Sequence, residues 1–229
     1  MSVSKLLGKI QSVKKSVRRS RHDRLLGSLE RLEERIVFNN YWVSNLSDAG
    51  AGSLRAAVVS ANTHPGEDAI LFRSGLVGEI ELNSQLTITD KTSIQGKPFQ
   101  FIALSGKDTN RVLQIDPAAD VKIKNLSIHK GNTSDASGGG GILNLGRLEL
   151  VNSIVTGNRA LQNIDPTLGG IGGGIRNRGY LHLVGTEVSD NFASLLGGGI
   201  QNDTGAVRGQ TGDTTASVVI DYSAILRNE

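Results

Sequence analysis

Apolar and polar positions alternate with a period of two along much of this chain. Leu148, Glu149 and Leu150, and again Leu181, His182 and Leu183, put two apolar groups on one face and a polar one on the other. That is strand periodicity. Residues 121–128 alternate in the same way, and further strands are predicted at 79–82, 86–89, 92–94, 101–104, 112–115 and 121–123. One segment breaks the pattern. Leu54, Ala57, Val58 and Ala61 recur at helical spacing, Ser53 is a suitable N-cap, and His64, Pro65 and Gly66 follow as a stop. A helix is predicted over 54–62, with an edge strand at 41–43 before it.

The alternating segments belong to a repeat. Residues 139–158 align without a gap on 172–191, so that Ile142 meets Ile175, Asn144 meets Asn177, Leu148 and Leu150 meet Leu181 and Leu183, Val155 meets Val188, and Asn158 meets Asn191. A third copy begins at Gly197, is interrupted around 206–217, and resumes with Val218, Ile220, Ile225 and Asn228 on the same template. The isoleucines step by 175 − 142 = 33 and then 200 − 175 = 25 residues. Each unit is too small to bury its own apolar face, so the units must stack. Stacked coils of this length form parallel strands joined by right-handed returns. The predicted fold is all-β: a right-handed parallel β-helix with a short N-terminal capping helix and about six coils from residue 70 onward.

Composition sharpens this picture. Of 29 glycines, 20 lie between Gly131 and Gly212, grouped as Gly-Gly-Gly-Ile rather than at collagen spacing. They suit corners and close backbone approach. Asparagines at equivalent corners (Asn144, Asn177, Asn202; Asn158, Asn191, Asn228) suit left-handed backbone and can ladder from coil to coil. With no cysteine, a disulfide framework, a thiolate zinc site and a thiol nucleophile are excluded. Residues 1–35 carry ten Lys/Arg against four Asp/Glu, or +6, while the remaining 194 residues carry 15 against 18, or −3. The folded part therefore lacks the basic balance of a nucleic-acid-binding domain. The chain divides into a basic leader over 1–38, partly disordered or helical, an N-terminal cap over 39–69 and coils over 70–229. No C-terminal cap is evident, so the expectation is a solenoid truncated at that end, or one covered there by another subunit.

The run from Tyr41 to Asn62, followed by residues 66–72, 75–82, 86–90 and 93–96, resembles the start of large bacterial surface proteins with right-handed parallel β-helices. The Gly-Gly-Gly-Ile unit with its Asn, Gly and two Leu resembles the repeats of the polymorphic-outer-membrane-protein-like family, which shares the pectin-lyase-like fold. The likeness covers residues 40–229. The run from Leu29 to Val37 is similar to the Leu-Glu-x-Arg leader of many exported planctomycete proteins. The resemblance implies a secreted, cell-surface or outer-membrane location. It also implies a structural or adhesion-like role.

Catalytic chemistry is poorly represented. Some β-helices cleave acidic polysaccharides with clustered Asp residues, and hydrolysis needs two carboxylates about 5 to 9.5 Å apart. This chain has no Gly-His-Gly and no Asp-Asp pair in its domain. Glu149 and His182 occupy equivalent outward positions and could stack as an acid–imidazole pair, although an ordinary polar face accounts for them as well. His22, His64, His129 and His182 share no metal-ligand spacing, and Gly212-Asp213 alone makes no calcium loop. Gly106-Lys107 lacks the rest of a phosphate-binding loop, and no nucleophile elbow occurs. Arg18-Arg19 has no apolar run after it. Asn45 and Asn202 fit a glycosylation pattern only in a eukaryotic secretory route. A leucine-rich repeat at Leu145, Leu148 and Leu150 would need helix formers where Gly, Asn and Thr stand.

No catalytic, cofactor or metal residue is assigned. The function expected is a non-catalytic secreted or cell-surface β-helix module of structural or adhesion-like type. The alternative is a polysaccharide-active lyase or glycoside hydrolase whose site is not evident. The expected partners are an extracellular polysaccharide or protein at the corner loops 160–171 and 205–217. The leader would meet export machinery or a membrane surface, and no nucleic-acid partner is expected.

Overall fold

The computed structural model describes residues 38–162, 169–203 and 216–229. The leader over 1–37, with its Arg18-Arg19 pair and His22, lies outside them, as does most of the loop 205–217 and the middle of the loop 160–171.

The described chain is an all-β parallel solenoid. Four sheets run along it, of seven, six, five and three strands, and every strand pairs in parallel with its counterpart in the next coil. The seven-stranded sheet contains Asn39–Val43, Asp68–Phe72, Thr92–Gln95, Asp120–Lys124, Arg147–Val151, Tyr180–Val184 and Ser217–Asp221. The first of these is an edge strand, as its sequence predicts. The six-stranded sheet runs from Gly78–Glu81 to Ala224–Leu226, and the five-stranded sheet from Leu86–Ile88 to Ile200–Asn202. The expected alignment is the observed one: Ile142 pairs with Ile175 and Ile175 with Ile200, Leu148 pairs with Leu181, and Val155 with Val188.

Alternation dictates what faces inward. Ile70, Ile94, Ile123, Leu150 and Leu183 form one buried row, and Ile80, Leu104, Ile128, Val155 and Val188 another. Each such side chain contributes about 1.5–3 kcal/mol through burial. In the five-stranded sheet an inward row begins with Ile88 and Ile115 and continues as Asn144, Asn177 and Asn202. The asparagines pair with one another instead of with water. Asn144 Nδ2 donates to Asn177 Oδ1, and Asn177 Nδ2 to Asn202 Oδ1, both at 2.6 Å. A second ladder runs from Asn158 to Asn191 at 2.9 Å and from Asn191 to Asn228 at 3.0 Å.

The ladder explains the glycine triplets. A Cβ on Gly174 would stand 2.9 Å from Asn191 Cγ and 2.6 Å from Gly199 O; Gly141 and Gly199 face Asn158 and Asn228 in the same way. Asparagine stack and glycine run are one device, because the amides fit only where the facing backbone carries no side chain.

The corners differ from what the sequence predicts. The ladder asparagines do not hold the left-handed conformation. That conformation belongs to three other columns: Asn125, Asn152, Gly185 and Tyr222 between the seven- and six-stranded sheets, Lys130, Gly157, Asp190 and Arg227 at the next corner, and the triplet glycines Gly139, Gly172 and Gly197. The last is marked by its glycines; in the first two the geometry recurs while the residue type varies, so no motif marks it. The three-stranded sheet, Asn132–Thr133, Arg159–Ala160 and Phe192–Ala193, is also absent from the sequence reading. Two-residue strands are too short to show alternation. It takes Ala160 out of the expected loop, Ile171 bridges to Leu196, and Ser217 opens a strand rather than closing a loop. No helix follows the repeat strands among the described residues, which removes the leucine-rich-repeat reading.

The helix spans Leu54–Thr63, one residue longer than predicted. Ser53 Oγ accepts from Ala56 N at 3.1 Å, and Leu54, Ala57, Val58 and Ala61 are its buried stripe. Arg55 donates to Asp48 and to the carbonyls of Ser84 and Gln85, while Asn62 bonds Thr87 O and Thr89 N. These bonds seat the helix over the first coils as a cap.

Candidate functional surface

The inward rows hold apolar side chains and bonded asparagines, so the outward rows and corners carry the exposed chemistry. On the seven-stranded sheet one outward row reads Ser93, Lys122, Glu149, His182 and Val219. Glu149 and His182 are neighbours in register, as expected, yet they do not form the acid–imidazole pair. Lys122 Nζ bonds Glu149 at 2.9 Å, and His182 Nε2 turns to Asp221 at 2.8 Å. Arg147 lies 4.0 Å over the Tyr180 ring and 3.6 Å from Asp120. The strand starts bound a groove of about 450 Å³, where Lys91, Lys122, Lys124 and Arg147 alternate with Glu67, Asp120 and Glu149. Opposite charges in adjacent coils stabilise a parallel stack modestly, because these groups are half-exposed and screened.

The outer face of the six-stranded sheet carries a cluster that the sequence reading did not assemble. Glu79 receives Lys130 Nζ at 3.3 Å and lies 3.6 Å from His129 Nε2. A hydrogen bond from Ser105 holds the Glu79 carboxyl below its ordinary range, with Lys130 and His129 adding to the effect. Burial pushes His129 down despite the Glu79 charge, and its Nε2 is buried without a hydrogen-bond partner. The signal was hidden because Glu79 and His129 are 50 positions apart and meet only through the coil register.

The five-stranded sheet carries an arginine network. Arg111 is buried and donates to Asp135, to the Gly138 and Gly139 carbonyls and to Gln85 Oε1. Arg176 bonds Asp203 at 2.8 Å and Ala136 O at 2.9 Å, and Arg178 bonds the same Asp203 oxygen at 3.0 Å. Burial would raise Asp135 and Asp203, but the arginine charges and hydrogen bonds outweigh it and hold both carboxyls low. Burial lowers Arg176 in turn, against the pull of Asp203. Arg111 is committed through Nε, Nη1 and Nη2, and Arg176 through Nε and Nη1.

The other residues weighed from sequence take structural places. His64 Nδ1 meets Tyr41 Oη at 3.0 Å and Ser60 O at 2.8 Å at the end of the helix. Gly106 closes a turn whose carbonyl accepts from Thr109 N and Asn110 N. Asn45 accepts from Ser47 N and donates to Ala51 O, while Asn202 belongs to a ladder. Gly212-Asp213 lies outside the described residues. Among the described residues no three His, Asp or Glu side chains converge to hold a metal ion. No protein-family model and no curated protein matches the chain.

Proposed function

We propose that this chain is a non-catalytic β-helix module of a secreted or cell-surface protein, of the polymorphic-outer-membrane-protein-like kind, that presents its corners and outer faces to an extracellular polymer. The observation that carries this reading is the pairing of four acids with cations: Glu79 with Lys130, Asp135 with Arg111, Asp190 with Arg227 and Asp203 with Arg176. Glu79, Asp135, Asp190 and Asp203 are each held below the ordinary carboxylate range by hydrogen bonds or neighbouring cations. A glycoside hydrolase needs one carboxylic acid kept protonated to donate to the leaving oxygen, and none of these four has that environment. The arginines of the five-stranded sheet are likewise bound to backbone and carboxylate, which suits a stiff display surface better than one that reorganises around a reacting group. The resemblance at residues 40–229 and the corner insertions point the same way.

The test is a pair of assays on the purified full-length chain. Polysaccharides are screened for retention of the chain and, in the same samples, for new reducing ends or unsaturated uronates. Retention without chain cleavage is expected. Release of fragments from any polymer would replace the module with the enzyme.

A further inference from the structure

The corner between the seven- and six-stranded sheets is two residues long in four successive coils, at 125–126, 152–153, 185–186 and 222–223. In the coil before these it takes six, residues 96–101. Gln100 N donates to Lys97 O at 3.1 Å, Pro98 stands second in the turn, and Phe99 stands third with φ +61°. That is the type II arrangement, whose third position suits Gly or Asn and strains a bulky side chain. The Phe99 ring gains no packing in exchange, being 109% exposed. Local strain combined with an unpacked aromatic marks a residue kept for something outside the fold.

The surroundings say what that is. Phe101 and Ile154 are exposed beside it, and the three bound a hollow of about 300 Å³, floored by Leu126 and edged by the amides of Gln100, Asn125 and Asn152. This is the lower end of the size range of small-ligand sites. No carboxylate lines the hollow, and its one ammonium, Lys97, is engaged by Ser74 Oγ. Gln100 Oε1 is buried at its edge without a hydrogen-bond partner.

We infer that this corner is a subsite for one neutral sugar ring of a polysaccharide, an inference that rests on the binding-module function above. A pyranose matches the site on both counts. Its C–H face packs on the phenylalanine rings, and its hydroxyls meet amides that donate and accept without charge.

Cellohexaose and N-acetylchitohexaose are titrated calorimetrically into the full chain and into Phe99→Asn and Phe101→Ala. Asn suits the left-handed turn, so Phe99→Asn should melt at or above the wild-type temperature while losing at least tenfold in affinity. Phe101→Ala should weaken binding in the same direction. The inference is overturned if neither hexasaccharide binds the wild type, or if Phe99→Asn binds like the wild type. It also falls if the substitution abolishes adsorption to phosphatidylglycerol vesicles but leaves sugar affinity unchanged. Binding that survives in Phe99→Asn moves the subsite to another face and leaves the module standing. Fragment release in the depolymerisation assay removes the module itself.

Discussion

At the scale of single residues, the asparagine ladders show how a buried polar group becomes structural. Asn177 accepts from Asn144 and donates to Asn202, Gly179 O and Ser217 O, all within the stack. Replacing it by Ala removes these bonds and leaves the Asn144 amide only its bond to Tyr180 O, so Asn177→Ala should cost about 2–4 kcal/mol in urea unfolding. Asn202 is exposed at the end of its ladder, and Asn202→Ala should cost about 1 kcal/mol or less. Equal costs would mean that the ladder is not read as a chain. Tyr222 makes the converse case. It is exposed and holds φ +51° in a column where other coils use Asn or Gly. Tyr222→Asn should therefore raise stability by about 0.5–1 kcal/mol, seen as a higher melting temperature.

At the scale of elements, the helix and the glycine run can be tested separately. Ser53→Ala removes the N-cap and should cost about 1 kcal/mol. Gly174→Ala drives a Cβ to 2.6 Å from Gly199 O and should cost about 1–3 kcal/mol, with the loss concentrated in the last coils when amide exchange is followed. The elements differed in how far the sequence revealed them. Strands with two inward residues, such as Arg147–Val151 and Tyr180–Val184, declare themselves by alternation, and the cap helix by Ser53 and its stripe. The three-stranded sheet is invisible because Asn132–Thr133 and its partners are only two residues long. The left-handed columns through Asn125 and through Lys130 are invisible because backbone geometry, not residue type, repeats there, whereas the one through Gly139, Gly172 and Gly197 shows as a glycine repeat. The clusters on the outer faces were legible only in fragments. Glu149 and His182 align by the repeat, but which neighbour each one bonds depends on side-chain reach. Glu79 meets His129 only by skipping a coil over Ala103 and Ser105.

At the scale of the whole molecule, acidification should weaken the fold in two steps. His129 titrates below its ordinary 6.5 in the folded chain because burial disfavours its charge. The unfolded chain then binds more protons, so this stability is present above about pH 6.5 and falls as the pH drops toward the folded value. Asp135 and Asp203 titrate below their ordinary 3.8, so their contribution is present above about pH 4 and is lost as the pH falls through their folded values. Melting temperature followed against pH should show both limbs, and His129→Gln should flatten only the upper one. An unchanged upper limb in that variant would assign it to other groups.

The coil register has a consequence of another kind. Along the seven-stranded sheet the inward positions Asn39, Asp68, Thr92, Val121, Leu148, Leu181 and Val218 are spaced by 29, 24, 29, 27, 33 and 37 residues, yet they stand in one column. Extra length leaves at the corners and never enters the column. Selection acting on the corners is thus uncoupled from selection acting on the stack. A lineage can lengthen, shorten or exchange a loop in one step without first acquiring compensating changes inside. For the same reason a foreign segment grafted between Gln162 and Gly169, or between Asp203 and Ala216, should be carried without loss of the flanking strands.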